Sequence, residues 1–227
     1  MPTEFNINVN QMGTVTGLHY RAPGSKGARD TLILGHGAGA NQTSQFMVHF
    51  AEGLADRGID IVTFNFLYTE LRRSAPDRTE KLEACYSATI DAVRQIDAIA
   101  GSLLVIGGKS MGGRIASQVA AMGVGDLAGL VFLGYPLHAP GKPEQRRSKH
   151  LAQIRAPMFF AQGTRDSFGS PDELRSVIDE LSLKATVYEI EGGDHSFKVP
   201  KKGPASQEQV YDTVMDEIAG WIRRLRR

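Results

Sequence analysis

Cysteine is nearly absent: Cys85 is the one thiol in 227 residues. A single cysteine excludes an intramolecular disulfide and a cysteine-built zinc site, and it suits a reducing compartment. It stands beside Leu82 and Ala84 in a helical stretch, which reads as core filler rather than a reactive thiol. Long apolar runs are missing as well, so no segment is expected to span a bilayer. Residues Met1 to Asn10 carry neither a basic start nor an apolar stretch, so no secretory leader is expected. Net charge is close to nil, at +1, which leaves neither nucleic acid nor an acidic membrane with a reason to be the main partner. No sequence repeats and no linker divides the chain. One domain, residues 1–227, in the cytoplasm is the expectation. The oligomeric state is not legible.

What is present is an alternation of apolar runs and amphipathic stretches. Strands are expected at Glu4 to Val9 and Thr14 to Arg21, paired through a turn at Met12-Gly13. A loop with Pro23, Gly24 and Gly27 follows, from Ala22 to Arg29. Buried strands are expected at Thr31-Leu34, Ile61-Phe66, Leu103-Ile106, Leu130-Leu133, Met158-Ala161 and Ala185-Ile190. Between them lie helical patterns near Phe46 to Ala55, Arg78 to Ile99, Arg114 to Met122, Pro171 to Leu181 and Gln207 to the end, with the stretch Leu67 to Pro76 irregular. Val210, Val214, Ile218, Trp221 and Leu225 form the inward face of the last helix. Arg223, Arg224, Arg226 and Arg227 close it, where cations favour the helix dipole. Such alternation predicts an α/β fold: an open, mostly parallel central sheet with helices on both faces.

The segment Gly108-Lys109-Ser110-Met111-Gly112 joins the strand ending at Ile106 to the helix after it. A strand that becomes a helix within about two residues needs unusual backbone angles and close neighbours, which is why glycines flank the serine. The turn lifts the Ser110 hydroxyl clear of the sheet, near a helix N-terminus whose free N–H groups favour an oxyanion. Ser110 is the candidate nucleophile. A phosphate loop is excluded, because position 103, where its first glycine belongs, is Leu103. Gly35-His36-Gly37-Ala38-Gly39-Ala40 fits a loose dinucleotide fingerprint. However, the next strand ends in Asn65-Phe66-Leu67-Tyr68, without the acid that holds a ribose. No cofactor and no metal are expected. The loop reads instead as an oxyanion loop, with the N–H of Ala38, or of its neighbour Gly39, acting beside that of Met111. His36 is expected to brace it.

A serine hydroxyl needs a base, and the base needs an acid to hold its tautomer. Both belong in loops at the carboxyl ends of later strands. Asp166 follows one such strand and is free of capping duty, since Ser170-Pro171-Asp172-Glu173 already starts the next helix. His195 follows the last strand. The order serine, aspartate, histidine is the one this kind of sheet uses. Asp194 and Glu191 are the rival acids, and His138 is out of order for the base.

Taken together, His36-Gly37-Ala38-Gly39, the turn around Ser110, Gly163-Thr164-Arg165-Asp166 and Gly193-Asp194-His195 resemble an α/β-hydrolase over nearly the whole chain. The likeness is greatest to the small, lidless dienelactone-hydrolase-like branch. Within it, Phe64-Asn65-Phe66 and Gly134-Tyr135-Pro136-Leu137-His138 resemble the testis-expressed hydrolase-like group. Dienelactone hydrolases proper have a cysteine where this chain has Ser110. The resemblance implies a serine hydrolase acting on esters or thioesters of small soluble acyl compounds through an acyl-enzyme on Ser110. Transfer of the acyl group to an acceptor other than water needs the same residues. Some relatives serve in assemblies without catalysis, so a catalytically silent binding or scaffold module is the alternative. The segment between Leu133 and Met158 is too short and polar for a helical cap, so an open cleft is expected. Phe46, Met47, Leu67, Tyr68, Phe168 and Phe197 are its candidate walls. Arg72-Arg73 and Arg146-Arg147-Lys149 read as solvated loop charge.

Overall fold

Strands that lack polar alternation need cover on both faces, and this decides the architecture. The computed structural model describes residues 1–24, 30–99 and 101–226. Most of the loop expected from Ala22 to Arg29, Gly27 included, and Arg227 lie outside the described residues. β1 (Thr3–Asn8) and β2 (Thr14–Tyr20) pair antiparallel, and β2 runs antiparallel to β4 (Asp60–Phe64). The remaining strands, β3 (Asp30–Gly35), β5 (Leu103–Lys109), β6 (Gly129–Leu133), β7 (Met158–Gly163) and β8 (Ala185–Ile190), join β4 in parallel. The sheet order is β1-β2-β4-β3-β5-β6-β7-β8.

Side chains alternate across this sheet with the period of two that a strand imposes. Ile33, Leu104, Ile106, Leu130 and Phe132 face α3 (Thr79–Arg94), α4 (Met111–Ala121) and α5 (Pro171–Glu180), which contribute Tyr86, Ile90, Ile115, Val119 and Leu174. Leu32, Leu34, Val105, Val131 and Leu133 face α1 (Gln45–Asp56) and α6 (Gln207–Arg224), which bring Phe50, Leu54, Val214, Ile218 and Trp221. Each fully buried side chain of this size contributes about 1.5–3 kcal/mol of transfer free energy. The inward face expected for the last helix is therefore observed.

The order of the strands places the site. From β3 the chain moves to β4 on one side, then crosses to β5 on the other. At such a reversal the connections leave in opposite directions and open a crevice at the carboxyl ends of the two central strands. Gly35 and Gly108 are register partners there.

Two boundaries differ from expectation. α3 stops at Arg94 rather than Ile99, and the chain continues in tight turns, with Ile96 N–H donating to Val93 O at 3.1 Å and Ile99 N–H to Ile96 O at 2.8 Å. Apolar residues three apart suit tight turns as well as an α-helix, so the pattern alone cannot mark the end. The stretch after Phe66, expected to be irregular, begins with one helical turn, α2 (Leu67–Glu70). No helix among the described residues is long and apolar enough to cross a membrane.

Candidate active site

Three strand ends converge on the crevice, and the sequence dictates each turn. After β5, Ser110 adopts φ 51° and ψ −114°, a conformation disfavoured for any residue with a Cβ. The surroundings enforce it. A Cβ on Gly108 would lie 2.3 Å from the carbonyl oxygen of Gly35, and one on Gly112 only 2.1 Å from the same oxygen. The serine N–H donates to Leu133 O at 3.1 Å, anchoring the turn to β6. The side chain is thereby presented above the sheet edge.

The loops after β7 and β8 meet because a glycine lets them. A Cβ on Gly163 would stand 2.2 Å from Gly193 O. Arg165 N–H donates to that carbonyl at 2.9 Å, and Gly192 N–H donates to Thr164 Oγ1 at 2.8 Å. This stitching brings Asp166 Oδ2 to 2.7 Å from His195 Nδ1, and His195 Nε2 to 2.8 Å from Ser110 Oγ. Residues 85 positions apart in the chain are in hydrogen-bond contact. With the carboxylate accepting from Nδ1–H, Nε2 is the free acceptor that faces the serine.

Asp166 is buried and well supplied with donors. Gln162 Nε2 donates to its Oδ2 at 2.8 Å, and Phe168 N–H donates to its Oδ1 at 2.8 Å. The Phe168 ring lies over the His195 imidazole, with centroids 4.2 Å apart. Of the rival acids, Asp194 accepts from Ser196 N–H at 2.8 Å and Lys198 N–H at 2.9 Å, so it closes its own turn; Glu191 is exposed. His138 is tied to Ala139 O and the Glu173 carboxylate.

Two supports were not foreseen. Gln162 is fully buried at the end of an apolar strand and bonds Tyr135 as well as Asp166. A polar residue there is itself the signal, since a buried amide needs partners. Lys109, one residue before the serine, donates from Nζ to His195 O at 2.6 Å and lies 5.7 Å from the Phe46 ring centroid. Burial pulls its pKa down to about 8, against the opposing pull of Asp166 and Asp194. It cross-links the end of β5 to the loop that carries His195.

The loop after β3 is braced as expected. His36 is 0% exposed; its Nδ1–H donates to Gly37 O at 2.9 Å, and Nε2 accepts from Phe66 N–H and Thr69 Oγ1, both at 3.3 Å. Burial lowers its pKa to about 4. The folded chain therefore keeps His36 neutral, while the unfolded chain binds a proton below its ordinary value near 6.5. Stability is fully present above that value and falls as pH drops from about 6.5 toward 4, by on the order of 3 kcal/mol from this group. Urea titrations at neutral and acidic pH are expected to show this loss, with a shallower slope in His36→Gln.

The cleft around Ser110 has a volume of about 590 Å³. Ala38 and Met111 line it beside Ser110 and His195; Gly39, in the turn closed by Ala40 N–H and Gly37 O, does not. Phe46, Met47 and Phe168 are on the wall as expected. Leu67, Tyr68 and Phe197 are not: they are buried in the core. Leu82, Arg114 and Arg147 take wall positions instead. Arg114 was legible in principle, because four residues after Ser110 is the same helix face. Between β6 and β7 there is no α-helix, only a 3-10 turn (Lys149–Gln153), so that segment adds no helical cap to the cleft. Burial pushes the Cys85 thiol up to about 12, consistent with its reading as core filler. Among the described residues, no group of three or more histidine, cysteine or acidic side chains is arranged to hold a metal.

Comparison with known proteins agrees with this fold. The alpha/beta hydrolase domain family matches residues 28–223. A serine hydrolase homologue from Coxiella burnetii superposes with a TM-score of 0.72 at 18% identity, over 98% of this chain and 96% of that one. A lidless serine hydrolase from Xanthomonas campestris gives 0.71 at 14%, covering 99% and 93%. A dienelactone hydrolase from Anabaena variabilis gives 0.74 at 17%, covering 98% of each.

Proposed function

Since the chain belongs to the alpha/beta hydrolase domain family, we propose that it is a serine hydrolase of carboxylesterase or thioesterase type, using Ser110, His195 and Asp166. The observation that carries this reading is the continuous hydrogen-bonded chain from Asp166 Oδ2 through the imidazole to Ser110 Oγ. Ser110 Oγ attacks the acyl carbon as His195 Nε2 takes its proton, and the carbonyl electron pair moves onto oxygen. The backbone N–H groups of Met111 and Ala38 receive that oxyanion. Collapse breaks the bond to the alcohol or thiol, which leaves with the proton from His195. Water then repeats the sequence on the acyl-serine and releases a carboxylic acid. Asp166 holds the tautomer and stabilises the imidazolium.

General acid–base action of this kind contributes roughly 10² to 10⁴ in rate, and loss of an oxyanion donor costs about 10² to 10³. The cleft volume of about 590 Å³ suits a small ligand, and its open top suits soluble acyl compounds over interfacial lipids. The narrower likeness to the testis-expressed group rests on the sequence motifs alone. Acid-quenching the protein during turnover of 4-nitrophenyl butyrate and measuring the intact mass is expected to reveal a butyryl adduct. No turnover of a short ester or its matching thioester would overturn the reading.

A further inference from the structure

The cleft beside Ser110 carries two arginines that form no ion pair among the described residues. Arg114, one turn beyond Ser110 on α4, and Arg147, in the loop between β6 and β7, both line it. Other arginines nearby are paired: Arg73 with Asp77 at 2.7 Å, and Arg146 with Glu180 at 3.3 Å. Among the described residues no carboxylate comes within ion-pair distance of Arg114; its guanidinium reaches only Gln118 Oε1, at 3.4 Å. Glu83 on α3 attracts it without closing a pair, and Arg147 repels it. Burial and that repulsion hold its pKa below the usual guanidinium value. Arg147 is anchored by its backbone, with N–H donating to Leu137 O at 2.7 Å and its carbonyl accepting from Tyr135 Oη at 3.0 Å. Asp77 also lines the cleft, with Oδ1 on Arg73 and a buried Oδ2 without a hydrogen bond.

Like charges that face one another across a cleft repel, the more so where one of them, Arg114, is half-buried, and a bound anion removes that cost. Planar guanidinium groups bind carboxylates through paired N–H bonds, which fixes orientation as well as charge. We propose that Arg114 and Arg147 form an anion subsite, and that the substrates are esters or thioesters carrying a carboxylate in addition to the bond that is cleaved. Phe46, Met47, Leu82 and Phe168 supply apolar wall for the chain between the two ends. This inference rests on the serine-hydrolase reading and adds the substrate class to it.

Two matched pairs of esters test it. The first pair is 4-nitrophenyl hexanoate against the mono-4-nitrophenyl ester of adipic acid, with the charge on the acyl part. The second is the hexanoyl ester of 4-hydroxybenzamide against that of 4-hydroxybenzoate, with the charge on the leaving group. The wild-type protein is expected to favour the acidic member of one pair by about tenfold or more in kcat/KM, the size of a charge-assisted contact. That preference is expected to shrink in high salt, and to fall toward unity in Arg147→Gln and in Arg114→Gln with Arg147→Gln. Arg147 is exposed, so its single variant does not risk the core. Hydrolysis of all four esters without preference, or a preference that survives both substitutions, would overturn the subsite and leave the hydrolase reading standing. Hydrolysis of none would overturn both.

Discussion

Ser110→Ala is expected to lower kcat for a 4-nitrophenyl ester by roughly 10⁴ to 10⁶, leaving the residual rate that binding and backbone donors alone provide. The size follows from what is removed. Among the described residues no other hydroxyl is hydrogen-bonded to His195 Nε2, which lies 2.8 Å from Ser110 Oγ, so the imidazole has nothing else to activate. Folding is not expected to suffer, because the turn is held by the Ser110 N–H bond to Leu133 O and by the two flanking glycines, none of which needs the hydroxyl. Ser110→Gly sharpens the comparison. The backbone there sits at φ 51°, and glycine relieves such strain by about 1 kcal/mol. That variant is expected to be equally inactive yet to unfold at a slightly higher urea concentration. A protein that gains stability while losing chemistry has its strain stored at the functional residue.

Gly107→Ala is expected to be the most damaging single methyl in the sheet. Its Cβ would stand 1.8 Å from the carbonyl oxygen of Val131, a backbone atom on the neighbouring strand that cannot swing aside. Gly107 and Val131 are register partners, and the Tyr86 hydroxyl is bound to both the N–H and the carbonyl of Gly107. Relieving the clash means separating β5 from β6 in the centre of the molecule. A cost above about 3 kcal/mol follows from overpacking of this severity, a large share of a typical domain's stability. Soluble yield and the urea midpoint both read it out. Gly58→Ala is the control: it has positive φ but no atom within 4 Å of the new Cβ, and about 1 kcal/mol is expected. If the two variants cost the same, close approach is not what requires Gly107.

Much of this architecture is legible in the residues because its signals are local. Apolar runs mark the buried strands, Gly108 and Gly112 mark the turn at Ser110, and the Ser170 cap leaves Asp166 spare. What is not legible depends on partners distant in sequence. An aromatic residue in a loop beyond a strand carries no mark of whether it faces the cleft or the core; Phe168 does the first and Phe197 the second. A basic pair in a loop looks solvated throughout, yet Arg146 finds Glu180 while its neighbour Arg147 turns to the cleft. Nothing local to Lys109 marks its role, since only the fold brings His195 O to its ammonium group. The crossing of β4, β3 and β5 leaves no local trace either, though it creates the crevice.

Labelling of the folded protein with a fluorophosphonate, followed by peptide mapping, reports on Ser110 without any choice of substrate. One adduct is expected, on the hydroxyl of Ser110, and it is expected to disappear in His195→Ala. A folded protein that takes no label would contradict the assignment of Ser110 as nucleophile. So would an adduct on Ser117, whose hydroxyl lies 2.8 Å from His150 Nε2 but is fully buried in α4.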